Sequence, residues 1–158
     1  MAVQVAVCGP AQCGEGERAL AYEVGRLLAE RGAVVICGGH GGVMAAVAAG
    51  ARSRDGVVVG VLPGADRTGA GPDLSVAIAT GLGQARNSVI VHSGDAVIVI
   101  GGSWGTLSEL ALAMRRGGVP VVQLGDGWRL VDADGQEVGG VRYARTPAEA
   151  LEVTGLWP

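Results

Sequence analysis

Five consecutive apolar residues, Ala96-Val97-Ile98-Val99-Ile100, run without a break into Gly101-Gly102-Ser103-Trp104-Gly105-Thr106-Leu107-Ser108-Glu109. A short apolar run bounded by glycine reads as a buried strand, and a helical pattern follows it. That arrangement is a phosphate cradle. Gly101, Gly102 and Gly105 let the backbone approach an anion closely, and Ser103 and Thr106 bring hydroxyls. The helix N-terminus presents unpaired N–H groups at the positive end of its dipole. Glu109 falls one helical turn beyond Thr106 and so faces the same ligand. A carboxylate beside an anion is costly unless it contacts something else, such as a sugar hydroxyl or a water. The sequence therefore points to a nucleotide-like ligand.

The chain of 158 residues is long enough to bury a sizeable core and reads as one domain, with no repeat and no linker. Its hydrophobic fraction of 49% and mean hydropathy of +0.38 raise the question of a membrane segment. The uncharged stretch Gly32 to Ala51 is interrupted by six glycines and His40, which fits two short buried elements and not one spanning helix. No basic region precedes the first apolar residues, so no signal peptide is read and a cytoplasmic protein is expected, without membrane attachment. A net charge of −3, no basic block and few aromatic residues disfavour nucleic acid as the main partner.

All twelve basic residues are arginine. The absence of lysine removes a Walker A reading of Gly9 to Gly14, where Glu15 stands in the lysine's place, and removes any lysine Schiff base. Cys8, Cys13 and Cys37 form no Cys-x-x-Cys pair, so neither a disulfide framework nor a metal site is expected. Cys8 and Cys37 end the first two strands and read as small buried hydrophobes.

Apolar runs alternate with helical periodicity along the whole chain, which predicts a mostly parallel sheet of six or seven strands between two layers of helices. Strands are predicted near residues 2 to 8, 33 to 37, 56 to 61, 75 to 79, 95 to 100 and 119 to 124. Helices are predicted near 15 to 31, 41 to 53, 82 to 93, 104 to 116 and 147 to 153. Gly32 ends the first helix, and Thr146-Pro147 caps and opens the last. Asp132 to Gly135 reads as a hairpin turn between Trp128-Val131 and a strand near Val141 to Ala144. The loop from Pro63 to Pro72 either closes over a ligand or is ordinary surface.

In such a sheet, ligands bind beyond the carboxyl ends of the strands where the strand order reverses. Gly9 follows the first strand, Gly38-Gly39-His40-Gly41-Gly42 the second and Gly101-Gly102 the fifth. Two glycine turns at strand-to-helix junctions of one short domain favour a phosphorylated ligand. His40 either donates to a phosphate or sugar or stands as an exposed loop histidine. His92, on the Val89-Val91 side of its helix, reads as a packed structural residue. Trp104 reads as a loop anchor or subunit contact before a base-stacking residue. Arg86, with Asn87 beside it, opens a largely apolar helix beyond the fourth strand and reads as a ligand contact, because arginine grips phosphate bidentately and keeps its proton. Apolar residues in excess of one core face, Val89-Ile90-Val91 and Ala111, Leu112 and Met114, predict a homodimer or higher homo-oligomer.

Together Gly38 to Met44, Arg86 and the set Gly101, Gly102, Gly105, Thr106 and Glu109 resemble the LOG-type superfamily, marked by Pro-Gly-Gly-x-Gly-Thr-x-x-Glu. The likeness covers most of the chain and implies a Rossmann-like three-layer sandwich. Characterised hydrolases of the group cleave the N-glycosidic bond of a nucleoside 5′-monophosphate to free base and ribose 5-phosphate. That would make Glu109 the residue that contacts ribose or orients water, Arg86 the one that steadies the nucleotide, and Gly101 to Thr106 the phosphate turn. The chain departs from the hydrolases in Ile100 for the motif proline, Asn87 for a lysine and Gly83 for a methionine. Its Ala-Arg-Asn version is more similar to the short bacterial branch that includes molybdenum cofactor carriers, whose ligand is a phosphorylated pterin. The resemblance thus implies a binding or carrier protein for a nucleotide or molybdopterin-type ligand, with no required cofactor of its own, ahead of a phosphoribohydrolase. A pyridoxal-dependent lysine decarboxylase is excluded by the missing lysine.

Overall fold

The computed structural model describes all residues from Met1 to Pro158. Seven strands, β1 (Gln4–Cys8), β2 (Val34–Cys37), β3 (Val58–Leu62), β4 (Val76–Ala79), β5 (Ala96–Gly101), β6 (Val121–Gly127) and β7 (Val141–Ala144), form one sheet in the order β4-β3-β2-β1-β5-β6-β7. Every pairing is parallel. The helices are α1 (Glu15–Glu30), α2 (Val43–Arg52), α3 (Arg86–Ser93), α4 (Trp104–Arg116) and α5 (Pro147–Thr154).

Period-two alternation in the strands sends residues to two cores. Val5, Val7, Val35, Ile98 and Ile100 pack with α1, α2 and α5. Ala6, Cys8, Ile36, Val97 and Val99 pack with α3 and α4 on the opposite face. The sheet is therefore the middle layer of three, and because it is covered on both faces its central strands are apolar throughout. Strand order reverses between β1 and β5, so the loops leaving those strands diverge to opposite faces and leave a crevice.

On the first face, α1 and α2 touch backbone to backbone. A Cβ at Gly25 would lie 2.0 Å from the Val47 carbonyl oxygen, and one at Gly50 would lie 1.9 Å from that of Tyr22. Only glycine fits either position.

Where the structure differs from the sequence reading, backbone geometry supplies the reason. The helix expected from residue 82 begins at Arg86, because Gly81 and Gly83 adopt φ of +64° and +57° and a single 3₁₀ turn, Gly83–Ala85, precedes it. Asp132 does cap a turn, accepting from the Asp134 and Gln136 amides at 2.9 Å, but the returning segment makes only one antiparallel bridge, Val131 to Glu137. Residues 141–144 instead join β6 in parallel, completing the seventh strand. His92 is exposed and turns back on its own helix, its Nδ1 2.7 Å from the Ser88 carbonyl oxygen, so it is not a packed core residue. Ile90 and Val91 are fully buried in the chain's own core and supply no surplus surface. No helix is long and apolar enough to cross a membrane.

Candidate functional site

A cavity of about 240 Å³ opens in the crevice, lined by Gly9, Pro10 and Ala11 after β1, His40 and Met44 after β2, Pro63 after β3, Gln84 and Arg86 at the start of α3, and Ser103, Gly105, Thr106 and Glu109 of α4. Gly9, His40, Arg86, Ser103, Gly105, Thr106 and Glu109 are thus brought together as the sequence implies. Gly38, Gly39, Gly41, Gly42, Asn87, Gly101 and Gly102 do not line it.

Most of those glycines are filled from behind. A Cβ at Gly42 would lie 2.2 Å from the Pro10 carbonyl oxygen, and one at Gly39 would lie 2.8 Å from Leu62. A Cβ at Gly9 would strike Val43, and one at Gly101 would lie 2.6 Å from Glu17 Oε1. Their missing side chains let the loops nest against one another, tied by the Val43 amide donating to the Pro10 carbonyl at 3.0 Å. Gly41 and Gly102 sit on the exposed side of their turns. Gly105 alone of the α4 turn faces the cavity with open space, its nearest neighbour Ser103 Oγ at 3.8 Å.

Ser103 is the N-cap of α4: its hydroxyl accepts from the Thr106 amide at 3.1 Å and bonds Thr106 Oγ1 at 2.7 Å. The two hydroxyls therefore satisfy each other, and the first-turn N–H groups of Trp104 and Gly105 are those left without an intrahelical partner. Trp128 braces this turn, its Nε1–H donating to the Ser103 carbonyl at 3.0 Å, while its ring lies 5.4 Å from that of Trp104. Trp104 itself is 79% exposed.

The opposite wall carries the charge. Arg86 is 6% exposed, and its guanidinium lies directly over Gly38, where a Cβ would come within 3.1 Å of Nη2. Nη1 donates to Asn87 Oδ1 at 2.5 Å and stands 3.9 Å from Glu109 Oε1, while Nε is buried without a partner. Asn87 in turn reaches Ser108 Oγ at 3.5 Å, which links the arginine to α4. Burial pushes the Glu109 carboxyl up to about 7, against the opposing pull of Arg86 and of a hydrogen bond from the Cys8 thiol. Burial, then the nearby Glu109 charge, holds the Cys8 thiol well above its ordinary value. Cys8 is thus a neighbour of the site, and its place at the end of β1 was the only signal for it in the sequence. Met44, whose sulfur fills the space beside Gly38, had none. His40 Nδ1 lies 3.0 Å from the Gly69 carbonyl oxygen, and Gly71 donates to the Gly39 carbonyl at 2.8 Å, so the Pro63–Pro72 loop is fastened across the second glycine turn.

Glycine turns and a buried arginine gathered at the sheet's reversal point define a Rossmann-like protein of the LOG type. The chain belongs to the SLOG cluster4 family, whose model matches residues 2–151. It is 47% identical over 115 residues to an uncharacterised protein of Archaeoglobus fulgidus, covering 73% of this chain and 76% of that one. A cytokinin riboside 5′-monophosphate phosphoribohydrolase of Mycobacterium tuberculosis is 40% identical over 94 residues, 58% of this chain and 50% of the relative. Among solved structures, the molybdenum cofactor binding protein of Rippkaea orientalis superposes with a TM-score of 0.87 at 35% identity, covering 97% of this chain and 95% of that one. The molybdenum cofactor carrier protein of Chlamydomonas reinhardtii gives 0.83 at 28% identity, covering 98% and 97%.

Proposed function

We propose that this protein binds a small phosphorylated ligand, a nucleotide or a molybdopterin-type cofactor, in the cavity between β1 and β5 and acts as its binding or carrier protein. The observation that carries this reading is Arg86, a permanent cation almost wholly withdrawn from water with its Nε unpaired and its one carboxylate partner 3.9 Å away. A buried charge so weakly compensated is costly and favours an anion brought by a ligand. The open Gly105 face of the α4 N-terminus supplies the second half of an anion site. The near full-length likeness to two molybdenum cofactor proteins supports the molybdopterin-type ligand.

Glu109 makes this binding depend on pH. With its carboxyl held up to about 7, it is neutral below that value and leaves Arg86 unopposed. As pH rises through 7 it ionises and offsets the arginine, so affinity for an anion falls; Glu109→Gln should abolish the fall. The same raised value means that the folded state binds the extra proton. Stability of the ligand-free protein therefore declines between pH 4.5 and about 7, and not on the acid side, by on the order of 3 kcal/mol. Urea unfolding of both proteins across this range measures it.

A second reading rests on the same carboxyl: a group titrating near neutrality suits proton transfer, and the mycobacterial relative is named as a phosphoribohydrolase. Incubation with a panel of nucleoside 5′-monophosphates separates the two. A carrier gives saturable binding that Arg86→Ala weakens, and no free base. A hydrolase releases base, and Glu109→Gln stops turnover while leaving binding nearly intact.

Self-association belongs to the proposal as well. Val76 and Ile78 of the edge strand β4, Leu82 in the segment before α3 and Val89 within it are exposed large apolar residues. Sedimentation as a monomer at micromolar concentration would refute it.

A further inference from the structure

The Arg86 guanidinium is held by neutral groups. Nη1 donates to Asn87 Oδ1 at 2.5 Å, which is the one hydrogen bond the guanidinium makes. Gly38 gives it room, since a Cβ there would come within 3.1 Å of Nη2 and 3.2 Å of Nη1. The carboxylate of Glu109 stands off at 3.9 Å, beyond hydrogen-bond reach. An arginine has a long flexible stem, so a buried one with a single close partner is aimed by that partner.

The partner is itself aimed. A guanidinium has donors only, so it fixes which way the Asn87 amide points, with Oδ1 toward Arg86 and Nδ2 away from it. Nδ2 then reaches Ser108 Oγ at 3.5 Å. Ser108 belongs to α4 and stands between Thr106 and Glu109, both of which line the cavity. The amide thus spans from the cation of α3 to the helix that offers its N-terminus to the same cavity. Asn87 is only 3% exposed and does not line the cavity, so its effect on a ligand has to pass through Arg86.

The residue type matters as much as the bond. An aspartate of the same size would grip the guanidinium more strongly, as a charge-assisted pair, and would offset its charge. Asparagine accepts the same hydrogen bond and offsets none of it.

We propose that Asn87 is the positioning residue of the anion site: it aims the Arg86 guanidinium and, being uncharged, leaves the arginine's full charge to the ligand's anion. This rests on the reading of Arg86 as the anion's anchor and adds how the anchor is held.

Side-chain nitrogen NMR of the intact protein tests the hold with no ligand present. The Arg86 Nη1 and Nη2 resonances, identified by their loss in Arg86→Ala, are expected to be separate, because the bond to Asn87 slows rotation about Nε–Cζ. They should merge in Asn87→Ala and stay separate in Asn87→Asp, which keeps both the size and the acceptor. Calorimetry with adenosine 5′-monophosphate as the probe reads the charge. Asn87→Asp is expected to bind at least about tenfold more weakly than the wild type although its arginine is still held, and Asn87→Ala about threefold more weakly. Resonances that are merged in the wild type, or that stay separate in Asn87→Ala, overturn the hold. Wild-type affinity in Asn87→Asp also overturns the proposal, because a residue that only fastened α3 to α4 would give that result. Affinity that Arg86→Ala leaves unchanged overturns the anchor reading instead, and the resonances then still decide whether Asn87 holds the arginine.

Discussion

The two glycine turns, Gly38 to Gly42 and Gly101 to Gly105, have similar sequences, similar places at strand ends and different duties. In the first, Gly38, Gly39 and Gly42 are all buried, and the space that a side chain would occupy is taken by Arg86 and Met44, by Leu62, and by the Pro10 carbonyl. In the second, Gly101 is closed by Glu17 and Pro10, while Gly105 stands open to the cavity at the head of a capped helix. A glycine-rich turn is thus not evidence of ligand contact at each of its glycines. What occupies the missing Cβ decides whether the residue serves the fold or the ligand.

Substitution at one position of each turn gives the sharpest contrast. Gly42→Ala should lose about 3 kcal/mol or more, because its methyl meets the Pro10 carbonyl oxygen at 2.2 Å from a backbone at φ +61°. Denaturant unfolding measures this, and a loss under about 1 kcal/mol would mean that the first turn is as free as the second. Ser103→Ala is expected to cost about 1 kcal/mol, the ordinary worth of an N-cap hydroxyl. No loss there would show that Thr106 satisfies its own amide, contrary to the bonds seen. The smallest change in stability, and the most informative for binding, is Gly105→Ala. It should raise stability by roughly 0.5 kcal/mol, as alanine does in a helix, while weakening a phosphorylated ligand whose approach to the first-turn N–H groups the methyl obstructs. Unaltered binding in that variant would remove α4 from the ligand's contacts.

Most of the architecture was legible because it rests on periodicity. The apolar strands, the amphipathic α1, Gly32 at its end and the Thr146-Pro147 opening of α5 all have local causes, and Arg86 and Glu109 could be picked out by their position after strand ends. What escaped depended on partners distant in sequence. The hairpin reading of residues 128–144 failed because the cues of turn chemistry are local, whereas the pairing of β7 with β6 is decided by the open edge of the sheet. His92 was misplaced because Val89, three residues before it on the same face of α3, is itself exposed, and the buried face is that of Ile90 and Val91. The packing role of Gly9 and Gly42 required knowing that two loops about thirty residues apart touch.

The contact between α1 and α2 has a mechanical consequence. With Gly25 and Gly50 each set against the other helix's backbone, and with Val43 tied to Pro10, these two helices and the loops that enter them form a single stiff plate. Neither loop can swing without levering both helices off the sheet. On the opposite side α3 is only eight residues long and follows two glycines, Gly81 and Gly83, in left-handed backbone. Arg86 opens that helix over Gly38, so a shift of α3 would carry the cation relative to the plate that holds Gly38 and Gly42.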